Sequence, residues 1–323
     1  MSKSLLTTIC NGRNHAELTY FEAYSYCTLS AFSFVASLYC LVPSTVRRLQ
    51  NRDDPVQIRW RTYATSVVCL ISVASYRFMF CESFVVASEL GNPKNWTVGV
   101  GSHFIAIIGA VFHTSILYFG EYTRLFLFVY ESIRKQDGNV LPSKLLYHLY
   151  VWYINPIYKS IVHNVNMKRW TILRNLVIAP ITEEIVFRSC MVPVLLSSGM
   201  KASKVCFVAP LFFGFAHVHH AVLKLRQGND FVSVLLMTMF QLLYTSIFGA
   251  YAAYTYQRSA SLTAVVLSHS MCNAFGIPDL SFLEPNSRLY PYRMILLASF
   301  TIGIVGFVLG MILLNLPPHT IGD

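Results

Sequence analysis

Apolar residues in this chain fall into long runs separated by short polar stretches. A membrane-spanning helix needs about 20 mostly apolar residues. Eight segments meet that requirement, at roughly 22–42, 62–82, 98–119, 171–198, 203–220, 231–256, 260–277 and 293–315. The fourth and fifth carry polar residues in mid-segment. The stretch 145–161 is aromatic and apolar but is broken by Asn155-Pro156, and reads as an interfacial or partly buried helix. No internal repeat and no soluble domain is evident. The pattern predicts an all-α, polytopic membrane protein with about eight transmembrane helices. Residues 1–170 form an N-terminal three-span region with a long cytosolic connection. Residues 171–323 are expected to form a transmembrane core plus a C-terminal span, the whole being one integral membrane domain.

Composition agrees with the pattern. Of 323 residues, 54% are hydrophobic and only 12% are charged. Soluble domains carry about 25% charged residues, so a water-soluble surface is hard to build. Disorder and a small disulfide scaffold are excluded on apolar content and length. The net charge of +10 reads as basic cytosolic loops rather than as a nucleic-acid surface, since no long Lys/Arg run is present. With the N-terminus in the lumen, sixteen basic residues fall on the cytosolic side and six on the other. The sequon at Asn95 then lies in a lumenal loop. None of the eight cysteines forms a CxxC pair, so they read as buried apolar thiols. No cleavable leader is expected at the N-terminus, and no lipidation or retrieval signal at the C-terminus.

Three polar clusters lie inside apolar segments, where charge is expensive and marks function by default. The first is Glu183-Glu184-Ile185-Val186-Phe187-Arg188. Glu184 and Arg188 are four apart and can pair on one helical face, which leaves Glu183 as the candidate base. The second is Phe213-Gly214-Phe215-Ala216-His217, followed by His219 and His220, which read as interfacial. The third is His269-Ser270-Met271-Cys272-Asn273. There His269 and Asn273 share a face and can both donate hydrogen bonds to a developing oxyanion. A carboxylate, a histidine and a donor pair converging in the bundle suffice for amide hydrolysis by water. Glu183 and His217 would bind and deprotonate the water, and His269 and Asn273 would hold the oxyanion. No covalent intermediate, metal or cofactor is needed.

The ordered set EExxxR, FxxxH, HxxxN resembles the type II CAAX prenyl endopeptidases, the Ras-converting glutamate proteases of the endoplasmic reticulum. The match covers roughly residues 171–278. The resemblance implies prenylated CAAX-tail proteins as substrates and removal of the last three residues beyond the farnesyl- or geranylgeranyl-cysteine. It implies catalytic roles for Glu183, His217, His269 and Asn273, with Glu184, Arg188 and Phe213 supporting the site. A prenyl chain gains about 0.8 kcal/mol per buried CH₂, so such a substrate partitions into the bilayer. Its tail arrives from the cytosol. Glu183 lies about 12 residues into its span, roughly 18 Å deep at 1.5 Å per residue, which demands a water-filled cavity leading in from the cytosolic side.

Three rival readings use the same residues. Glu183, His217 and His269 are zinc-ligand types, although the HExxH of the familiar zinc proteases is absent. Cys190 and Cys272 lie near the motifs and raise a cysteine nucleophile. A transporter or scaffold would use the buried polar groups without chemistry.

Overall fold

A computed structural model describes residues 18–47, 54–80, 99–134 and 167–313. Every regular element among them is helical, as expected where lipid offers the backbone no hydrogen-bond partners. Helix α1 (Tyr20–Cys40) opens with a capping box in which Thr19 and Glu22 satisfy each other's backbone N–H groups. A short α2 (Ser44–Arg47) leads to α3 (Pro55–Phe80). Helix α4 (Gly99–Leu117) is followed at once by α5 (Phe119–Arg134), bent from it by 64°. The first two motifs lie in α6 (Met167–Leu173), α7 (Ala179–Glu184), α8 (Met191–Ser197), α9 (Ala202–Ala216) and α10 (His219–Arg226), with the turns between them. The fold closes with α11 (Phe231–Ser259), α12 (Leu262–Phe275) and α13 (Arg293–Leu313).

All eight apolar segments contain helix, but they are not eight equivalent spans. Among the described residues three helices are long and apolar enough to cross a membrane: Ala202–Arg226, Phe231–Ser259 and Tyr290–Ile312. The bent pair Phe104–Leu117 and Phe119–Glu131 makes a fourth if it counts as one. The seventh segment, expected over 260–277, is only the 14-residue α12, about 21 Å long at 1.5 Å per residue. That falls short of the roughly 30 Å hydrocarbon core. Helix α5 lies where the sequence reading placed the start of a cytosolic connection. It is held in place because Leu127 packs into a cluster with Phe282, Leu289, Leu296 and Phe300, while Glu121 binds Arg124 at 2.7 Å and the Asp279 backbone N–H at 3.2 Å. Residues 145–161 and Asn95 lie outside the described residues.

The apolar surface is turned outward as well as inward. On α11, Leu236 is 65% exposed and Ile247 61%, whereas Tyr251, Ala252, Ala253 and Tyr256 are buried. A stripe of this kind facing away from the core is what a lipid-contacting helix requires. The main core joins residues of α1, α3, α8, α9, α11 and α12 with the 185–190 turn, so the N-terminal helices belong to the same packed body as the motifs. A second cluster, Leu127, Phe282, Leu289, Leu296 and Phe300, docks α13 on α5. There Phe300 lies directly over Gly120, in the place a Cβ would take.

Candidate active site

The run 167–197 is where local backbone geometry departs from the α-helix. Two π-helical turns, Arg174–Ile178 and Ile185–Cys190, bracket the carboxylate-bearing α7. They are the π turns found among the described residues. Each inserts residues relative to an α register and re-aims the side chains that follow, a device frequent at functional sites. The upstream turn has a cause in the sequence. Pro180 has no N–H, so carbonyls in the preceding turn lose an intrahelical donor. Helix α12 supplies replacements: the single Ser270 hydroxyl proton is shared between the Leu176 carbonyl at 2.7 Å and the Val266 carbonyl of its own helix at 2.8 Å, and Asn273 Nδ2 donates to the Asn175 carbonyl at 2.9 Å.

This seam brings α12 against α7 and places His269 beside both carboxylates. His269 Nδ1 lies 2.6 Å from Glu184 Oε1, and Nε2 lies 3.8 Å from Glu183 Oε2. Glu184 is fully buried and also meets Arg188, with Nη1 to Oε1 and Nε to Oε2 both at 3.2 Å. An ionised carboxylate only accepts, so Nδ1 of His269 carries the proton shared with Glu184. Arg188 is 1% exposed, and its guanidinium lies 4.6 Å from the Phe213 ring centre and 5.8 Å from that of Phe248. Cation–π contact of this kind substitutes for part of the lost hydration. The buried pair is thus flanked by a histidine and two aromatic rings.

Glu183 stands differently. Its side chain keeps 18% of its exposure and lines a cavity of about 120 Å³ together with Thr182, Phe213, His217 and His219. His217 caps the end of α9, and its Nδ1 lies 2.8 Å from the Phe213 carbonyl. A carbonyl only accepts, so Nδ1 carries a proton, and Nε2 is the ring nitrogen left to face a ligand. The two candidate water-binding groups therefore come from separate helices into one cavity, 34 positions apart in sequence.

His269 and Asn273 do not line that cavity. His269 stands behind Glu183, tilted on the Phe248 ring at 4.7 Å between centroids. Asn273 is exposed and committed through one N–H to Asn175. Sequence reasoning did not assign to the site the polar lining residues Arg61, Thr62 and Thr65 on α3, Arg174 in the first π turn and Thr182 on α7, and it read His219 as interfacial. His219 follows the two-residue turn at His217 and Val218 between α9 and α10 and lines the cavity from there. The sequence offered a signal in the three closely spaced histidines but not their direction. Cys190 and Cys272 are buried, 0% and 5% exposed, away from the cavity. Among the described residues no group of three His, Cys, Asp or Glu side chains is arranged to hold a metal ion.

Comparison with known proteins bears on the same segment. Residues 165–275 match the model of the family described as type II CAAX prenyl endopeptidase Rce1-like. Over this segment the chain is similar to the type II CAAX prenyl endopeptidases. CAAX prenyl protease 2 of Arabidopsis thaliana is 28% identical over 306 residues, covering 90% of this chain and 88% of that protein. CAAX prenyl protease 2 of Homo sapiens is 44% identical over 154 residues, 47% of this chain and 43% of that protein. The probable CAAX prenyl protease 2 of Schizosaccharomyces pombe is 38% identical over 128 residues, 38% of this chain and 47% of that protein. No solved structure matches the chain. The matched family segment contains all three polar clusters, the two π turns and the α12 seam.

Proposed function

We propose that this protein is a CAAX prenyl endopeptidase that removes the C-terminal tripeptide from farnesylated or geranylgeranylated CAAX proteins such as Ras-type small GTPases, by glutamate-type catalysis within a membrane of the endoplasmic reticulum. The observation that carries the reading is the convergence of Glu183 and His217 on one cavity. A water held between the Glu183 carboxylate and His217 Nε2 gives its proton to the carboxylate as it attacks the carbonyl of the prenylcysteine. The C–N bond to the next residue breaks, and the departing amine takes the proton from Glu183. No covalent enzyme intermediate forms. His269 Nε2, which borders Glu183, and the second Nδ2 proton of Asn273 are the oxyanion donors in this reading; both stand outside the cavity, so the scissile carbonyl reaches past Glu183 to meet them, and His269 donates with both ring nitrogens protonated. Glu184 and Arg188 hold His269 in place, and Phe213 covers Arg188.

Access from the cytosolic side fits a substrate whose tail is cytosolic and whose prenyl chain is dissolved in lipid. The decisive experiment is cleavage of a farnesylated CAAX peptide by purified protein, following release of the tripeptide. Glu183→Ala and His217→Ala should each lower the rate by about 10²–10⁴-fold. Equal rates in wild type and Glu183→Ala would remove the catalytic assignment. Full activity in strong chelator is expected, and loss of activity that zinc restores would favour a metal-dependent mechanism instead.

A further inference from the structure

The cavity that holds Glu183 and His217 has a second chemical character. It is also lined by Arg61 of α3 and Arg174 of the first π turn. Among its lining residues Glu183 is the one carboxylate, so two guanidinium-bearing residues outnumber the acid. A cavity with such a lining and low-dielectric walls concentrates positive potential and favours an anion. The geometry adds two details. Arg174 Nε donates to Asn175 Oδ1 at 2.9 Å, which steadies the guanidinium. Thr62, one residue past Arg61 and also lining the cavity, has a buried hydroxyl with no hydrogen-bond partner. A buried polar atom of that kind is normally satisfied, and a bound ligand can satisfy it.

We infer that Arg61 and Arg174, assisted by Thr62, form a subsite for the free C-terminal carboxylate of the substrate. The inference rests on the endopeptidase reading above and specifies how that cavity reads its substrate. Length supports it. Arg174 precedes Glu183 by nine residues on one helical run, about 13 Å of rise or slightly less through the π turn. Three extended residues beyond the scissile bond span at most about 10–11 Å. A carboxylate that far from the bond held at Glu183 arrives within an arginine side chain's reach of Arg174. Guanidinium groups suit the task because they bind carboxylates in a planar, two-point fashion. The subsite would act as a ruler: a tail with three residues after the prenylcysteine places both its carboxylate and its scissile carbonyl correctly.

The test compares two farnesylated CAAX peptides that differ only in ending as a free carboxylate or a carboxamide. Full-length purified protein is used, and the readout is the ratio of kcat/KM for acid over amide within each preparation. Because both rates come from one sample, the ratio is independent of the folded fraction. Wild type should prefer the acid by about tenfold to a hundredfold, the size of a charge-assisted contact, with the difference mainly in KM. Arg61→Gln and Arg174→Gln should each pull the ratio towards one, and Arg61→Lys, which keeps the charge but not the two-point contact, should give an intermediate ratio. A wild-type ratio near one, or a ratio unchanged in both glutamine variants, overturns the subsite while leaving the endopeptidase reading intact. Failure of wild type to cleave either peptide overturns both together.

Discussion

His269 Nδ1 lies 2.6 Å from Glu184 Oε1, inside a bundle where that carboxylate is fully buried. The same carboxylate meets Arg188, so one buried acid serves two cations or donors at once. Glu183, adjacent in sequence, faces the cavity instead. The two neighbouring glutamates are divided between holding the site and touching its contents.

That division makes a prediction about stability and activity together. Removing one partner of a buried ion pair costs about 3–5 kcal/mol, whereas replacing both with well-packed apolar groups is often neutral. Glu184→Leu and Arg188→Met should each lower the melting temperature sharply. The double variant should regain most of the stability but not the peptide cleavage, because His269 has lost its orienting carboxylate. Melting curves and cleavage assays on the three proteins decide the matter. A fully active double variant would show that Glu184 is dispensable.

The seam at Pro180 predicts a rescue. Ser270→Ala removes the donor to the Leu176 carbonyl, at a cost of about 1 kcal/mol, and should loosen α7 against α12. Pro180→Ala restores a backbone N–H four residues past Leu176. Added to Ser270→Ala, it should recover cleavage, most clearly in kcat. Purely additive losses in the double variant would mean that the two residues do not act on the same carbonyls.

Gly249 predicts an overpacking defect. A Cβ there would stand 2.8 Å from Pro210 Cβ and 3.3 Å from Arg188 Nη2. Overpacking of this kind typically costs about 1–3 kcal/mol. Gly249→Ala should therefore lower thermal stability and spread α9 from α11 at the level of Arg188. An unchanged melting temperature would show that Pro210 yields without cost.

The loop after α12 predicts an acid-dependent effect. Asp279 is held below the usual carboxylate range, first by the Ser281 backbone N–H and hydroxyl and to a lesser degree by Arg124. Its folded pKa is depressed, so its contribution is present above the unfolded value of about 3.9 and is lost as pH falls through the folded value. Asp279 is half exposed and its pair with Arg124 spans 3.4 Å, so the gain is at most about 1 kcal/mol. Asp279→Asn should melt slightly lower than wild type at neutral pH. The two curves should converge in acid, and a constant gap at all pH values would exclude linkage through this carboxyl.

Helices were legible in the sequence because apolar runs of about 20 residues have few alternatives in lipid. The Glu184–Arg188 spacing was legible for a similar reason: pairing four residues apart is local geometry, and Arg188 meets Glu184 at 3.2 Å. The helix α5 and the shortness of α12 were not legible. Helix α5 depends on the burial of Glu121 against Arg124 and the Asp279 backbone, and α12 ends where the chain turns at Gly276 with φ 65°.

By itself, the sequence determined the all-helical membrane class, the ordered polar clusters and the residues worth testing, because hydrophobic period, charge cost and short-range spacing are properties of neighbouring residues. Only the tertiary structure decided which way those residues face. It set Glu183 and His217 in one cavity with Arg61 and Arg174, put His269 behind Glu183 on Glu184, and turned Asn273 to the Asn175 carbonyl. Those directions follow from two π turns and from carbonyls left without a donor by Pro180. A π turn shifts every later side chain by a fraction of a turn, and its presence depends on a partner helix ready to satisfy the freed backbone.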